Sequence, residues 1–289
     1  MVERIIVHGL ISGGVYALLA VGFSLILGVA RIINLAHTAF YMLAAYLILT
    51  FANSFGLPLA LSIVLSIVAV TIIGVFSYKL LIDPVRGHET TILIVTIALA
   101  IVIQEAILNG YGGGFQGIPS IISGYVNILG AKVLNQQILT FGVVLGILLS
   151  IWALLMKTRL GIAIRSTAQD REVSNLMGIN VARTGMIAMA ISVALAAIAG
   201  ALVAPLQVLS PLMWTHPLVM VLAVVVLGGL GSIKGSLVGA FILGFAETLV
   251  VFLAPSGAYL KTAVALAIML IVIVIRPQGL FGVSFEEER

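Results

Sequence analysis

The chain carries few side chains that could do acid, base or ligand chemistry within its apolar stretches. Two carboxylates, Glu105 and Glu247, and one imidazole, His37, interrupt long uncharged runs, and Asn34 lies three residues before His37. An ionisable group at membrane depth is costly, so each is a candidate for a substrate or ion pathway. Each also has a structural alternative: Glu105 reaches the outer interface, Glu247 makes a helix-packing hydrogen bond, Asn34 caps a helix and His37 binds a backbone carbonyl.

These residues do not form the set that catalysis requires. A membrane enzyme needs a clustered acid and base, a nucleophile or a metal site, and no such cluster occurs in the sequence. His37 has no second ligand at helical spacing, and the chain has no cysteine to supply a thiolate or a disulfide. We therefore expect no enzymatic activity, no metal and no cofactor.

Two glycine-rich stretches have partial features of phosphate-binding loops. Gly112, Gly114 and Gly117 match G-x-G-x-x-G, but no strand precedes them and no helix clearly follows. Residues 228–235 are rich in glycine but contain no Gly-Lys-Ser or Gly-Lys-Thr. We instead predict an interrupted helix near 228–235 that borders a pathway, because broken helices line transport sites. The pathway candidates in this stretch are Gly229, Gly231 and Ser232.

A charged segment, residues 157–183, lies between two long uncharged stretches. Apolar residues in it, among them Ile164, Leu176 and Met177, recur at near-helical spacing, and Gly178 follows where a C-cap glycine is expected. The opposite side carries Arg165, Gln169, Asp170 and Glu172. The pattern predicts a helix around residues 165–177, which either lies on the membrane surface or is offered to a cytoplasmic partner.

The composition indicates an all-α, polytopic transmembrane bundle. Hydrophobic residues make up 62% of the 289 residues and charged residues only 8%, against about a quarter charged in ordinary soluble domains. The formal net charge of +4 comes from the loops and is no argument for nucleic acid. We expect one transmembrane domain over residues 1–289, surrounded by membrane lipid, with an outer loop at residues 110–136.

Nine apolar segments account for most of the chain. Their approximate bounds are 5–29, 33–52, 58–80, 91–109, 137–156, 184–205, 217–231, 235–254 and 259–275. A span needs about 20 residues. The segment at 217–231 is short for a span, and if it is re-entrant eight spans remain. The sequence therefore predicts eight or nine spans.

The distribution of basic residues predicts the orientation. With residues 157–183 inside and the segments alternating, the N-terminus lies outside and the C-terminus inside. Eleven basic residues then lie inside: Arg31, Lys79, Arg86, Lys157, Arg159, Arg165, Arg171, Arg183, Lys234, Arg276 and Arg289. Three lie outside: Arg4, Lys132 and Lys261. This excess is the bias that cytoplasmic loops show.

The charged segment also carries a family resemblance. Its residues Gly161, Ala163, Arg165, Ala168, Asp170, Gly178, Ile179 and Asn180 form a pattern that resembles the cytoplasmic coupling loop of ABC importer permeases. The chain is similar in particular to the H-type permease subunit of branched-chain amino acid importers. Residues 31–37 (RIINLAH), 224–247 and 276–282 (RPQGLFG) resemble that family as well.

The resemblance implies a subunit of an importer in the bacterial or archaeal inner membrane. Two ATPase subunits would supply energy, an M-type permease would pair with this chain, and a periplasmic or lipoprotein binding protein would deliver substrate. Transport would proceed by alternating access. The residues expected to couple to the ATPase are Arg165, Asp170, Arg171, Glu172, Leu176, Met177 and Gly178. We expect Leu176 and Met177 to be apolar anchors, with Asp170, Arg171 and Glu172 orienting the docking.

Two other functions remain open at this stage. A permease of the same superfamily could carry sugars, nucleosides, urea or short amides, because the binding protein is the family's first selectivity filter. A secondary transporter would be expected to place several ionisable residues in its spans. This chain offers Glu105, Glu247 and His37, which is a small set.

Overall fold

A computed structural model describes residues 2–128, 131–253 and 257–281. Its helices are α1 (Val2–Ala30), α2 (His37–Leu49), α3 (Leu59–Ser77), α4 (Glu89–Tyr111), α5 (Asn135–Lys157), α6 (Arg159–Gln169), α7 (Arg171–Leu176), α8 (Val181–Val203), α9 (Thr215–Gly228), α10 (Ile233–Leu253) and α11 (Gly257–Ile275). The strands are β1 (Tyr125–Ile128) and β2 (Ala131–Leu134). Two π-helical turns, Thr50–Ser54 and Tyr78–Ile82, extend α2 and α3, and the 3-10 turn Asp83–Val85 follows.

The apolar segments predicted from the sequence correspond to all of these helices except α6 and α7. Six helices of the described chain are long and apolar enough to cross a membrane: α1, α3, α4, α5, α8 and α10. The helix α3 reaches this length together with the turns that follow it (Leu59–Val85), and the stretches Thr215–Gly228 of α9 and Tyr259–Ile275 of α11 are shorter and apolar. The all-α membrane bundle is confirmed, and the choice between eight and nine spans stays a prediction.

The first helix, α1, is the centre of the bundle. It packs against α5, α6, α8, α9 and α10, and most of its length is buried. Glycines permit this packing: a Cβ on Gly244 of α10 would lie 2.5 Å from the Cα of Gly13 in α1. Close backbone approach is what small residues provide in lipid, where hydrophobicity does not drive helices together. A Cβ on Gly9 or Gly13 of α1 would likewise collide with Phe245 or Phe241 of α10.

The break predicted near 228–235 is present, but it is a hairpin turn and not a gap within one straight helix. Gly229 and Gly231 have φ angles of 102° and 78°, which glycine adopts without strain. The backbones of Gly228 and Gly235 touch, and a Cβ on Gly239 would lie 2.9 Å from the carbonyl oxygen of Val224. The helix α10 therefore folds back along α9 instead of continuing it.

The predicted outer loop, residues 110–136, contains regular structure that the sequence did not indicate. Strands β1 and β2 pair antiparallel, with Tyr125 opposite Leu134 and Ile128 opposite Ala131. The backbones of Gln116 and Leu209 also exchange hydrogen bonds, of 3.1 and 2.8 Å. Among the residues that the structure describes, this hairpin departs from the otherwise helical architecture.

The two ends of the bundle gather different segments. At the end that holds α6 and α7, called the loop end below, Arg171 contacts Ala30, and Gly28 lies against Gly231. At the opposite end, called the far end below, the indole N–H of Trp214 donates a hydrogen bond to the side chain of Gln104. Arg31, Arg86 and Arg171 thus share one end, as the charge bias predicts; which side of the membrane that end faces stays a prediction. Arg289 lies outside the described residues.

Candidate coupling surface and polar cavity

The loop segment begins with a tight turn between α5 and α6. The Thr158 side-chain oxygen accepts a hydrogen bond of 3.0 Å from the backbone N–H of Gly161, which caps α6. A Cβ at Gly161 would collide with the carbonyl oxygens of Leu154 and Leu155. The close approach of α6 to the end of α5 therefore requires glycine at this position.

The single helix predicted around residues 165–177 is wrong: the structure has two helices, α6 and α7, that meet at Asp170. A carboxylate oxygen of Asp170 accepts hydrogen bonds from the backbone N–H groups of Glu172 (2.9 Å) and Val173 (3.0 Å). Asp170 itself has an extended backbone, with φ −148° and ψ 118°. An aspartate that caps a new helix competes with continuation of the old one, which ends α6 at Gln169.

The end of α7 forms the predicted glycine cap. Gly178 has a φ of 84°, its N–H bonds to the carbonyl of Asn175, and the N–H of Ile179 bonds to the carbonyl of Ser174. These two bonds define a Schellman motif. The next helix, α8, starts at once, because the Asn180 side chain accepts a 2.9 Å bond from the N–H of Arg183. The motif residues Asp170, Gly178 and Asn180 are thus cap residues that fix α7.

The apolar residues of this segment divide between two environments. Ile164 of α6 is 1% exposed and packs on the bundle, whereas Val173, Leu176 and Met177 are 53, 85 and 79% exposed. Arg165 is exposed as well. An apolar tip held outward by caps at both ends is typical of a docking surface. We call Val173, Leu176 and Met177 the α7 tip.

Arg171 points toward the bundle and not away from it. Its guanidinium donates a 3.4 Å hydrogen bond to the carbonyl oxygen of Ala30 at the C-terminus of α1. Arg86 lies nearby, and its burial together with the charge of Arg171 lowers the pKa of Arg86. A loop-end cavity of about 480 Å³ is lined by Arg31, Gln169, Asp170, Arg171 and Glu172.

Asn34 and His37 are fully buried and hydrogen-bonded to their own chain. The Asn34 side-chain oxygen accepts a 3.1 Å bond from the N–H of Ala36, two residues on, which forms an Asx turn just before α2. Nε2 of His37 lies 3.0 Å from the carbonyl oxygen of Leu19, and its Nδ1 lies 3.3 Å from the Ser192 hydroxyl. The contact to Leu19 matches the structural alternative for His37, whereas Asn34 forms a turn before α2 and does not cap it. A pathway role for them stays a prediction.

The other predicted pathway residues are scattered. Glu105 is exposed on α4 and accepts a 3.3 Å bond from Gln104, away from the packed core. Gly229, Gly231 and Ser232 form the turn between α9 and α10 at the loop end, where the Ser232 hydroxyl accepts a bond from the N–H of Gly235. The structure does not bring these residues together with Glu247, and their pathway role stays a prediction.

Glu247 lies at the centre of a buried polar cluster. Its Oε2 accepts a 2.5 Å hydrogen bond from the Tyr16 hydroxyl, and its Oε1 lies 3.3 Å from Nζ of Lys261. Nε2 of His216 is 3.9 Å from the same Oε1, too far for a hydrogen bond. Glu247 is only 8% exposed, and a carboxylate at such a position requires compensating polar or basic groups nearby.

The cluster opens into a cavity of about 270 Å³, called the polar cavity below. Its polar lining includes Ser12, Tyr41, Gln137, Gln207 and the four cluster residues, and its apolar lining includes Ile11, Val15, Leu19, Val203, Leu206 and Pro217. Glu247 and Tyr16 lie about 20 Å along their helices from the loop end, at 1.5 Å per residue. The cavity therefore belongs to the far half of the bundle.

Sequence reasoning found Glu247 but missed its partners. Tyr16, His216 and Lys261 lie in three other helices, far apart in the chain. One signal was available: a carboxylate within a span needs a compensating group, and Lys261 is a basic residue near the start of a predicted span. The residue types narrow the choice of partner, but only the packing of α1, α9, α10 and α11 identifies it.

Comparison with known proteins identifies the family. Residues 5–273 match the family described as branched-chain amino acid transport system, permease component. The branched-chain amino acid permease BraD of Pseudomonas aeruginosa is 31% identical, over 96% of this chain and 94% of that protein. The corresponding LivH of Escherichia coli is 29% identical, over 95% of this chain and 94% of that protein.

A solved structure, PsaBC from Streptococcus pneumoniae in complex with Fab, shares the fold. Its TM-score is 0.52 at 18% identity, and the match covers 95% of this chain and 93% of that chain. The family match and the similarity to BraD extend over nearly the whole chain. The protein therefore belongs to the family of permease components of branched-chain amino acid transport systems.

Proposed function

We propose that this chain is the permease subunit of an inner-membrane ABC importer that carries branched-chain amino acids. Separate ATPase subunits hydrolyse ATP, and alternating access moves the substrate. Support comes from the family, whose named relatives are branched-chain amino acid permeases. Substrate class is taken from those relatives and is the part of the proposal that uptake measurements must test.

The observation that carries the proposal is the α7 tip. Leu176 and Met177 are exposed on a short helix that is capped at both ends and flanked by the apolar helices α5 and α8. The helix α7 is six residues long, so it cannot span a membrane. We infer that the tip inserts into a groove on an ATPase subunit, and that Arg165 and Glu172 contact the rim of that groove.

The same geometry supports a proposal for each of the remaining partners. The helices α3, α4 and α5 expose apolar residues such as Val64, Ile72, Val102 and Leu149. We infer that membrane lipid and a second permease of the M type cover these faces. A binding protein would deliver substrate at the far end, where the hairpin β1–β2 and the polar cavity lie. With two permeases in the importer we infer two ATPase subunits, one of which binds the α7 tip.

Uptake by the native host tests this function. A strain that lacks the gene for this chain should lose high-affinity uptake of labelled leucine, isoleucine and valine, and the wild-type gene should restore it. Uptake of ribose, adenosine and urea should not change. Loss of sugar, nucleoside or urea uptake with intact leucine uptake would instead support the second candidate, a permease for those solutes.

A further inference from the structure

The polar cavity has the chemistry of a binding site for a zwitterion. One wall presents a carboxylate, Glu247, and the neighbouring wall presents an amine, Lys261. Aliphatic side chains, among them Ile11, Val15 and Leu19, line the rest. We propose that the polar cavity binds the charged head of an α-amino acid in transit, with its ammonium on Glu247 and its carboxylate on Lys261. This inference rests on the proposed function and adds a site to it.

The main argument is that a zwitterion keeps every charge in the cavity paired. The Glu247–Lys261 pair, at 3.3 Å, is neutral as a pair while no ligand is present. A zwitterion that inserts between the two side chains replaces one ion pair with two and leaves no charge unpaired. A neutral sugar, or a ligand with only one charge, would separate the pair without replacing both partners. Unpaired buried charges are strongly unfavourable, so the cavity selects against such ligands.

Tyr16 holds the carboxylate of Glu247, and His216 leaves a ring nitrogen for the ligand. Tyr16 donates to Oε2 of Glu247 at 2.5 Å, which fixes the carboxylate while Lys261 remains able to move. The Lys261 side chain is 36% exposed, against 10% for that of Glu247. Nε2 of His216 is buried and has no hydrogen-bond partner among the described residues. It lies beside Oε1 and offers the ligand a further hydrogen-bond partner.

The size and position of the cavity agree with this assignment. Its volume of about 270 Å³ is below the range typical of pockets for drug-sized ligands and suits a small amino acid. The lining residues come mainly from the first two thirds of α1, the starts of α5, α9 and α11 and the end of α8, and Tyr41 of α2 and Glu247 of α10 complete the cavity toward the far end of the bundle. A solute delivered at the far end would therefore meet this cavity before it reaches the loop end.

The alternative is that the ion pair only fastens α11 to α10. The double variant Glu247→Gln/Lys261→Met separates the two roles, because it removes both charges together and leaves side chains of similar size. A purely structural pair tolerates such replacement. A zwitterion site does not, because both of its charge-assisted hydrogen bonds are lost.

The experiment uses the complete importer, purified through a tag on this chain and placed in nanodiscs without binding protein. The wild type should bind labelled leucine. Isoleucine should compete, whereas leucinol, which lacks the carboxylate, and 4-methylpentanoate, which lacks the ammonium, should compete at least about tenfold less well. Competition by leucinol or 4-methylpentanoate as strong as that by isoleucine, or competition by ribose, overturns the assignment without any variant.

The variants are then compared for leucine uptake by cells. Glu247→Gln/Lys261→Met should lower uptake at limiting leucine about tenfold or more. Co-purification of the ATPase with the variant checks that the importer still assembles. The control variant Glu3→Gln/Arg4→Gln removes the same two charge types from the exposed start of α1 and should transport normally. Undiminished uptake by the cavity variant refutes the zwitterion site, and a wild type that does not transport leucine refutes the proposed function itself.

Discussion

The guanidinium of Arg171 donates a hydrogen bond to the carbonyl oxygen of Ala30, 3.4 Å away, and so connects the start of α7 to the C-terminus of α1. The same helix carries Tyr16, which holds Glu247 in the polar cavity. Fourteen residues of helix, about 21 Å, separate Tyr16 from Ala30. One rigid element thus touches both the proposed docking surface and the proposed substrate site. This shared helix is a candidate route for coupling between the docking surface and the substrate site, and the variants below test it.

Replacement of Arg171 by alanine should uncouple transport from hydrolysis. The variant keeps the α7 tip and should still bind the ATPase, but it loses the contact between α7 and α1. We expect Arg171→Ala to co-purify with normal amounts of ATPase and to transport less leucine per ATP hydrolysed. Arg159→Ala, at the exposed start of α6, is the matched control. Loss of the ATPase from the purified Arg171→Ala complex would instead assign Arg171 to docking.

Truncation of the α7 tip should detach the ATPase. Buried apolar anchors in interfaces typically contribute about 2 kcal/mol or more each. Leu176→Ala/Met177→Ala should therefore reduce co-purification of the ATPase by at least tenfold. The control Leu80→Ala/Leu81→Ala removes two exposed apolar side chains near the end of α3. A tip that merely rests on the membrane surface would leave ATPase recovery and substrate-stimulated hydrolysis unchanged.

Asp170 should act through its cap and not through its charge. Asp170→Ala removes two hydrogen bonds at the start of α7, and loss of a cap costs about 1 kcal/mol of helix stability. Asp170→Asn keeps the acceptor oxygen and loses the charge. We expect a mild loss of ATPase association for Asp170→Ala and little change for Asp170→Asn, measured by co-purification. An equal loss in both variants would show that the charge itself contacts the partner.

Parts of this architecture follow from the sequence, and parts do not. The apolar segments, the loop between α5 and α8 and the cap at Gly178 were predictable, because hydrophobicity, charge bias and glycine conformation are local properties. The division of the predicted coupling helix at Asp170 was missed, since an aspartate in a helical pattern can face solvent or cap a new helix. The partners of Glu247 were missed because they depend on packing between helices distant in sequence.

The orientation in the membrane can be tested with single cysteines, because the chain has no native cysteine. A cysteine at Ala168, exposed near the end of α6, should react with an impermeant maleimide only in inverted membranes. A cysteine at Gly113, between α4 and β1, should react in intact cells. The prediction rests on the excess of basic residues at the loop end. Reaction of Ala168→Cys in intact cells would reverse the assigned orientation.

ATP-driven uptake by a purified complex tests the central claim most directly. The importer is isolated through a tag on this chain, reconstituted with its binding protein, and loaded inside with ATP or with a non-hydrolysable analogue. The account predicts that leucine accumulates only with hydrolysable ATP and that vanadate stops it, while a proton gradient alone drives no uptake. Leucine accumulation driven by a proton gradient without ATP would contradict the account and assign the chain to secondary transport.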